Sequence, residues 1–162
     1  MTSVSNTLIA FFRSCRFTAT IALLGLAMTF VAPAFAATQI PDDDDQDVLI
    51  RTTLMTFNDA NMTNNYSVFL AKASKEFQAQ FTADKVQAAF ETFRAKELFF
   101  EDVVTADYAS YDKATIDNEG ALVLNGVFKT DDMEVKYRLR FIQNNHVWKM
   151  LGLNVDATRK KQ

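Results

Sequence analysis

The stretch from Met133 to Val155 constrains the fold more than any other part of the chain, because it reads as two strands joined by a short turn. Polar and apolar side chains alternate over Met133–Gln143 and again over His146–Val155. This period of two is typical of a strand with one buried face. Asn144-Asn145 lies between them and has turn chemistry. The stretch therefore predicts an antiparallel pair of strands.

Two earlier turns extend this pair into a four-stranded sheet. Asp131-Asp132 follows an alternating strand at Ala121–Lys129, and Asn118-Glu119-Gly120 follows a first strand at Asp112–Asp117. Two-residue loops at both hairpins predict two sets of cross-strand pairs. The first set is Phe128 with Val135, Gly126 with Tyr137, Leu124 with Leu139 and Leu122 with Phe141. The second set is Phe141 with Trp148, Leu139 with Met150 and Tyr137 with Gly152.

Both hairpins assign the same apolar side chains to one face, which we call the inner face. A slip of one residue would turn every side chain over, so the agreement favours this register. The inner face comprises Leu122, Leu124, Phe128, Val135, Tyr137, Leu139, Phe141, Trp148 and Met150. The outer face mixes Lys and Arg with Val, Ile and Leu, and it is either a solvated surface or the seat of a homodimer.

Helical periodicity precedes the sheet, over roughly residues 46–95. Ile50, Leu54 and Phe57 recur at helical spacing within Asp47–Ala60, which predicts a first amphipathic helix. A second, shorter helix is predicted around Tyr66–Ala73, with one more turn near Phe77–Phe81. Thr82 is suited to cap a third helix, whose apolar stripe follows it. Three helices on one face of an antiparallel sheet define an α+β fold.

The first 36 residues have the pattern of an export signal. Arg13 and Arg16 precede the apolar run Phe17–Val31, and Ala34-Phe35-Ala36 has the small-residue spacing of a cleavage site. We therefore predict cleavage after Ala36 and a periplasmic or secreted protein. Contact with a membrane is expected only through this segment, if it stays uncleaved.

Charge and cysteine content exclude several kinds of partner. The chain has 17 Lys+Arg against 20 Asp+Glu and one Cys, and cleavage after Ala36 would remove two of the arginines and the cysteine. A mildly acidic chain does not favour a nucleic-acid partner. One His and no mature Cys leave no ligand set for a transition metal, so no metal and no cofactor are expected.

An acidic leader, residues 37–46, separates the signal from the predicted domain at residues 47–156. Its run Asp42–Asp45 has two interpretations, a weak calcium site or a solvated segment that favours the N-terminus of the next helix. The run lacks the alternating spacing and the Gly turn of a calcium loop, which favours the second interpretation. Residues 157–162 are predicted to be a frayed basic tail.

The order of these elements resembles the NTF2-like (cystatin-like) superfamily over about residues 46–156. The resemblance rests on three helices followed by a curled sheet and on the last strand, Val147–Val155. It also rests on Leu54–Tyr66, an amphipathic helix that enters an Asn-rich turn, and on Phe77–Thr82. The resemblance implies a cone of three N-terminal helices on a curved four-stranded antiparallel sheet. Members of the superfamily include steroid isomerases, dehydratases and transport factors, so the fold does not select a function.

The predicted register places Asp112, Gly126, Tyr137 and Gly152 in one row across the inner face, with Asn154 one step away. Two glycines in a row would leave space, so a ligand pocket is predicted at Tyr137, Gly126, Gly152 and Asn154. The glycines have a second interpretation, in which they let a ring or a helix lie close to the backbone. Asp112 and Tyr137 are the candidate catalytic pair, a base and a hydroxyl donor of the kind used by the steroid isomerases of this fold.

Two functions remain open from the sequence. The first is an exported, non-enzymatic domain that binds a small apolar ligand or a protein partner, including a second copy through the outer face. The alternative is a small isomerase or dehydratase that uses Asp112 and Tyr137 inside the cone.

Overall fold

A computed structural model describes residues 39–160 of the chain. The predicted signal sequence and its cleavage site lie outside the described residues. Within them the order of elements is α-helical first and then β, with a short 3-10 helix, Glu101–Val104, at the junction. The helices are α1 (Asp43–Thr63), α2 (Ser67–Lys72), α3 (Lys75–Gln80), α4 (Ala83–Ala89) and α5 (Glu91–Ala95), and the strands are β1 (Tyr108–Tyr111), β2 (Thr115–Ile116), β3 (Leu122–Lys129), β4 (Met133–Asn144) and β5 (Val147–Arg159).

Helix α1 begins at Asp43, four residues before the predicted start. The Asp42 side chain accepts a hydrogen bond from the backbone N–H of Asp45 at 2.9 Å, so Asp42 is the N-cap. Asp43–Asp45 therefore form the first turn of the helix, where negative charge is favourable. The acidic run therefore supplies the N-cap and first turn of α1, and the predicted helix start at Asp47 is wrong.

The other helical pieces are short. The predicted second and third helices are present as four short helices, α2, α3, α4 and α5, and side chains cap the start of α3 and of α4. Thr82 accepts a hydrogen bond from the Lys85 N–H and caps α4, so that prediction is confirmed. Ser74 caps α3 in the same way through Phe77.

The sheet has the order β1-β3-β4-β5, with β2 paired to β3, and it does not close. All four predicted pairs between β3 and β4 are confirmed, among them Gly126 with Tyr137 and Leu122 with Phe141. The α+β class is likewise confirmed. The β3–β4 register could be predicted because its causes are local: the tight loop and the alternation of the two strands fix the same pairs.

The predicted register between β4 and β5 is wrong. The turn is Asn145-His146 rather than Asn144-Asn145, and both turn residues have positive φ, 53° and 63°, as a type I′ hairpin requires. Met150 consequently pairs with Phe141. The register then shifts beside Phe141, which leaves Leu151 as an extra residue. A bulge of this kind turns the following side chains to the opposite face.

The first and last strands also differ from their predicted limits. Of the predicted strand Asp112–Asp117 only the two-residue β2 is present, and β1 lies before the predicted limits, at Tyr108–Tyr111. At the other end β5 continues to Arg159, which pairs with Met133. Residues 157–159 are therefore part of the sheet, and the predicted frayed tail is wrong for them.

The inner face of the sheet and the helices enclose one aromatic core. Phe57 of α1 is fully buried and its ring lies 4.6 Å from the ring of Phe90 and 5.5 Å from that of Phe93. The two contacts are edge-to-face, the geometry that aromatic quadrupoles favour. Among residues 39–160 no helix has both the length and the apolar character needed to cross a membrane.

Candidate functional site

The first candidate site is a cavity of about 100 Å³ between the start of α1 and the inner face of the sheet. We call it the tyrosine cavity. It contains both members of the predicted catalytic pair, Asp112 and Tyr137. Its lining residues are Asp43, Gln46, Asp47, Ile50, Tyr108, Tyr111, Asp112, Leu124, Asn125 and Tyr137.

A closed hydrogen-bond cluster forms one wall of the tyrosine cavity. Asp47 accepts from Arg51 Nε through both carboxylate oxygens, at 2.7 and 2.9 Å, and from the Tyr108 hydroxyl at 2.5 Å. Arg51 also donates to the backbone carbonyls of Val103 and Ala106. Burial, followed by the hydrogen bond to Asp47, raises the pKa of Tyr108 far above its usual value. Asp47 is thus fully engaged in holding α1 to the sheet, which leaves it unsuited to serve as a base.

Tyr137 lies at the floor of the cavity and is 4% exposed. Its hydroxyl makes no hydrogen bond with the described residues. Burial raises its pKa, and so do the Asp47 and Asp112 charges, while the Arg51 charge opposes the shift without reversing it. Tyr137 therefore stays neutral at physiological pH.

Gly126 makes room for Tyr137 rather than for a ligand. A Cβ built on Gly126 would overlap the Tyr137 hydroxyl and would lie 2.7 Å from Cζ of the same ring. The tyrosine thus fills the volume that the glycine leaves empty. This corrects the predicted pocket at Gly126 and supports the second interpretation of that glycine, a ring lying against the backbone.

Asp112 does not occupy the predicted row. Tyr111 is the β1 residue opposite Gly126, and Asp112 donates its backbone N–H to the Asn125 carbonyl. The Asp112 carboxylate is exposed and accepts one hydrogen bond, from Asn125 Nδ2 at 3.3 Å. Asp112 is displaced from the predicted row because β1 starts earlier than predicted and its register with β3 shifts between Tyr108 and Ser110. A single hydrogen bond of this length holds the carboxylate only weakly in position.

Gly152 and Asn154 lie outside the tyrosine cavity. After the bulge in β5, Gly152 pairs with Arg140 and Asn154 with Arg138, so both belong to the outer face. A Cβ on Gly152 would contact only the Arg140 side chain, at 3.6 Å. Their predicted place in the ligand pocket is therefore wrong, because the bulge turned them over.

A second and larger cavity, of about 210 Å³, lies between α1, α2 and the start of β5. We call it the α1–β5 groove. Its floor is apolar and includes the buried rings of Phe69 and Phe141. The groove is lined by Val48, Leu49, Thr52, Thr53, Thr56, Phe69, Lys72, Ala73, Phe141, Trp148, Lys149 and Met150.

The edge of the sheet positions this groove. β5 is the last strand of the sheet, and its free edge meets the end of α2 through a bridge between Ala73 and Met150. The Ser74 N–H donates to the Met150 carbonyl at 2.8 Å. α2 is thereby held beside β5 without covering Trp148, and the remaining space is the groove.

The polar groups of the groove are cationic or hydroxylic. Lys72 Nζ donates to Thr56 Oγ1 at 3.1 Å, and the Thr56 hydroxyl donates to the Thr52 carbonyl at 2.7 Å. Lys149 is a second lysine of the lining, which includes no carboxylate residue. The charge of the groove is therefore opposite to that of the tyrosine cavity, which carries three aspartates.

Sequence reasoning missed the α1–β5 groove because it treated Trp148 and Met150 as filled core. One signal was present in the sequence. Thr52, Thr53 and Thr56 interrupt the apolar surface of α1 between Leu49 and Phe57. A patch of short hydroxyl side chains on a helix that faces aromatic residues leaves volume that larger residues would fill.

The outer face of the sheet is largely occupied by its own charges. Arg140 donates from Nε to Asp117 at 2.9 Å and from Nη2 to Glu119 at 2.6 Å, and Glu134 lies between Lys129 and Lys136. These pairs are the arrangement expected of a solvated face. A homodimer through this face stays a prediction.

Within residues 39–160 no group of three or more His, Cys, Asp or Glu side chains is placed to hold a metal ion. The chain matches no protein-family model, no curated protein and no solved structure.

Proposed function

We propose that this chain is an exported, non-enzymatic domain of the NTF2-like type that binds a small apolar ligand in the α1–β5 groove. The observation that carries the proposal is the groove itself, an apolar recess of about 210 Å³ beside Trp148. Ligand sites in proteins are concave and mostly apolar, with a few polar groups. The groove meets that description better than the tyrosine cavity does.

The size of the groove limits the ligand. An apolar cavity of ~150 Å³ holds one benzene molecule, so 210 Å³ corresponds to about eight non-hydrogen atoms on the same scale. Val48 lines the groove and is 61% exposed, which gives the groove an apolar mouth. A short aliphatic chain or a small ring fits this space.

The NTF2-like assignment is supported by helices that pack on one face of an open antiparallel sheet. The register shift between β4 and β5 beside Phe141 bends the strands locally. A cone requires a curved sheet, so this bend supports the assignment. The preference for binding over catalysis rests on the tyrosine cavity, where Asp47 is held by Arg51 and Tyr108 and Asp112 is exposed.

Trp148 provides a direct test, because it is the only Trp in the chain and it lines the groove. Titration with 1-hexanol is expected to change the intrinsic fluorescence in a saturable way. Thr52→Phe should reduce that response by filling the groove, whereas Thr63→Phe, at the far end of α1, should not. A fluorescence that stays unchanged up to millimolar hexanol would contradict the proposal.

Export is tested separately by the mature N-terminus. Mass spectrometry of the protein released from its native host is expected to give a chain that starts at Ala37. Recovery of the intact chain from the cytoplasm would contradict export.

A further inference from the structure

We propose that the ligand of the α1–β5 groove is an apolar carboxylate whose head group is bound by Lys72. This inference rests on the proposed function, since it names the chemical class of the ligand for the same groove. The class follows from the charges of the lining residues and from the place of the Lys72 ammonium.

Lys72 is exposed, and one hydrogen bond directs its ammonium to the rim of the groove. Its Nζ donates to Thr56 Oγ1 at 3.1 Å, and both residues line the groove. The Thr56 hydroxyl is itself held, because it donates to the Thr52 carbonyl at 2.7 Å. An ammonium has three N–H donors, and Thr56 takes one of them. The ammonium therefore retains donors for a carboxylate at this end of the groove.

The lining residues offer Lys72 no competing anion. Among the described residues Lys72 forms no salt bridge, and Lys149 likewise forms none. No Asp or Glu lines the groove. The chain as a whole has a formal net charge of −3, so the Lys72 ammonium at the rim of an apolar recess is opposite to the general charge of the molecule. Such a recess favours an anionic head group on an apolar body.

The apolar body has its own contacts. Phe69, Phe141 and Met150 are each at most 5% exposed and form the floor of the groove. The half-buried Trp148 adds a large ring at one side. Burial of the apolar chain against these side chains supplies the affinity, while the ammonium selects the head group. A six-carbon acid has about the eight non-hydrogen atoms that the volume accommodates.

Three matched ligands separate the charge preference from apolar binding. Hexanoate, 1-hexanol and hexylammonium share one chain length and differ in the charge of the head group. We expect hexanoate to give a Kd, read from Trp148 fluorescence, about fivefold below that of hexanol, the scale of an exposed ion pair. Hexylammonium should bind more weakly than hexanol. The preference for hexanoate should fall as the salt concentration rises.

Variants assign the preference to one residue. Lys72→Met keeps an unbranched side chain, one atom shorter, and removes the charge, and it should bring the hexanoate Kd to the hexanol value. Lys75→Met, at the first residue of α3 and outside the groove lining, should leave the preference intact. Equal binding of all three ligands, or a preference that survives Lys72→Met, would overturn the inference and leave the proposed function standing. Failure of all three ligands to bind would overturn both.

Discussion

The hydroxyl end of Tyr137 lies directly against the backbone of Gly126 on the neighbouring strand. The two residues are cross-strand partners, and a Cβ on the glycine would overlap the tyrosine hydroxyl. Tyr137 is buried and its ring stacks on Phe128, with centroids 5.6 Å apart, so it has little freedom to withdraw. The glycine is thus required by the ring opposite it, and backbone conformation plays no part, since its φ is not positive.

Gly126→Ala should lower the free energy of unfolding by about 2 kcal/mol, the usual cost of one excess methyl group in a packed core. Denaturant unfolding measures the change. Gly152→Ala is the matched control, because the new Cβ would lie 3.6 Å from the Arg140 side chain, an ordinary contact. It should change stability by less than about 0.5 kcal/mol.

A double variant tests whether the ring is the cause. Tyr137→Leu removes both the hydroxyl and Cζ, which are two of the three nearest atoms that the new methyl group would meet. The third atom, the Ser110 carbonyl oxygen at 3.0 Å, stays in place. In the Tyr137→Leu background, Gly126→Ala should therefore cost at least about 1 kcal/mol less than in the parent, a coupling typical of residues in contact. Additive losses would show that the strain arises elsewhere.

Loss of the hydroxyl group should affect the free energy of unfolding differently at two buried tyrosines. The Tyr66 hydroxyl donates to Asn61 Oδ1 at 2.6 Å and accepts from Arg94 Nη1 at 2.8 Å, so Tyr66→Phe should cost about 2 kcal/mol. The Tyr137 hydroxyl makes no hydrogen bond with the described residues. Tyr137→Phe should therefore leave the free energy of unfolding within about 0.5 kcal/mol of the parent, or raise it. A large loss in Tyr137→Phe would mean that its hydroxyl does have a partner in solution.

Arg51 should not be replaceable by lysine. Its guanidinium donates to Asp47 and also reaches the carbonyls of Val103 and Ala106, and a single ammonium cannot span these acceptors. Arg51→Lys should lower the free energy of unfolding by about 2 kcal/mol, the cost of a broken charged hydrogen-bond cluster. Arg138→Lys on the exposed outer face is the control and should be close to neutral. Equal effects would contradict a structural role for the Arg51 cluster.

The Asp117 carboxylate should make the stability depend on pH in the acid range. Desolvation alone would raise its pKa, but hydrogen bonds from the Ala121 backbone, Arg140 and the Glu119 backbone outweigh it and hold the pKa below its usual value. A lowered folded pKa stabilises the protein above the unfolded pKa of ~3.9, and this contribution is lost as the pH falls through the folded value.

Asp117→Asn should therefore lower the free energy of unfolding by about 1 kcal/mol at pH 7. The difference in this free energy between variant and parent should shrink as the pH falls below about 4. Urea unfolding at a series of pH values measures it. Asp59→Asn, an exposed position on α1, should change the unfolding free energy by less than about 0.5 kcal/mol throughout. A gap for Asp117→Asn that stays constant down to pH 2 would contradict the lowered pKa.

The contrast between the two hairpins explains how far the sequence could predict the site. Asn144-Asn145 and Asn145-His146 are both plausible turns, and moving from one to the other shifts the pairing by two residues. A shift of two keeps Trp148 and Met150 on the inner face, so the hydrophobic pattern could not distinguish the turns. The bulge at Leu151 then moved Gly152 to the outer face, and nothing in the alternation of residues marks that bulge.

The sequence by itself determined the α+β class, the β3–β4 register and the apolar inner face, because alternation, helical periodicity and capping are local properties of the chain. Only the tertiary structure decided where space remains. That space depends on the β4–β5 register, on the edge of β5 meeting α2 at Ala73 and Met150, and on Tyr137 filling the place left by Gly126. Volume is a property of several elements packed together, and no single segment encodes it.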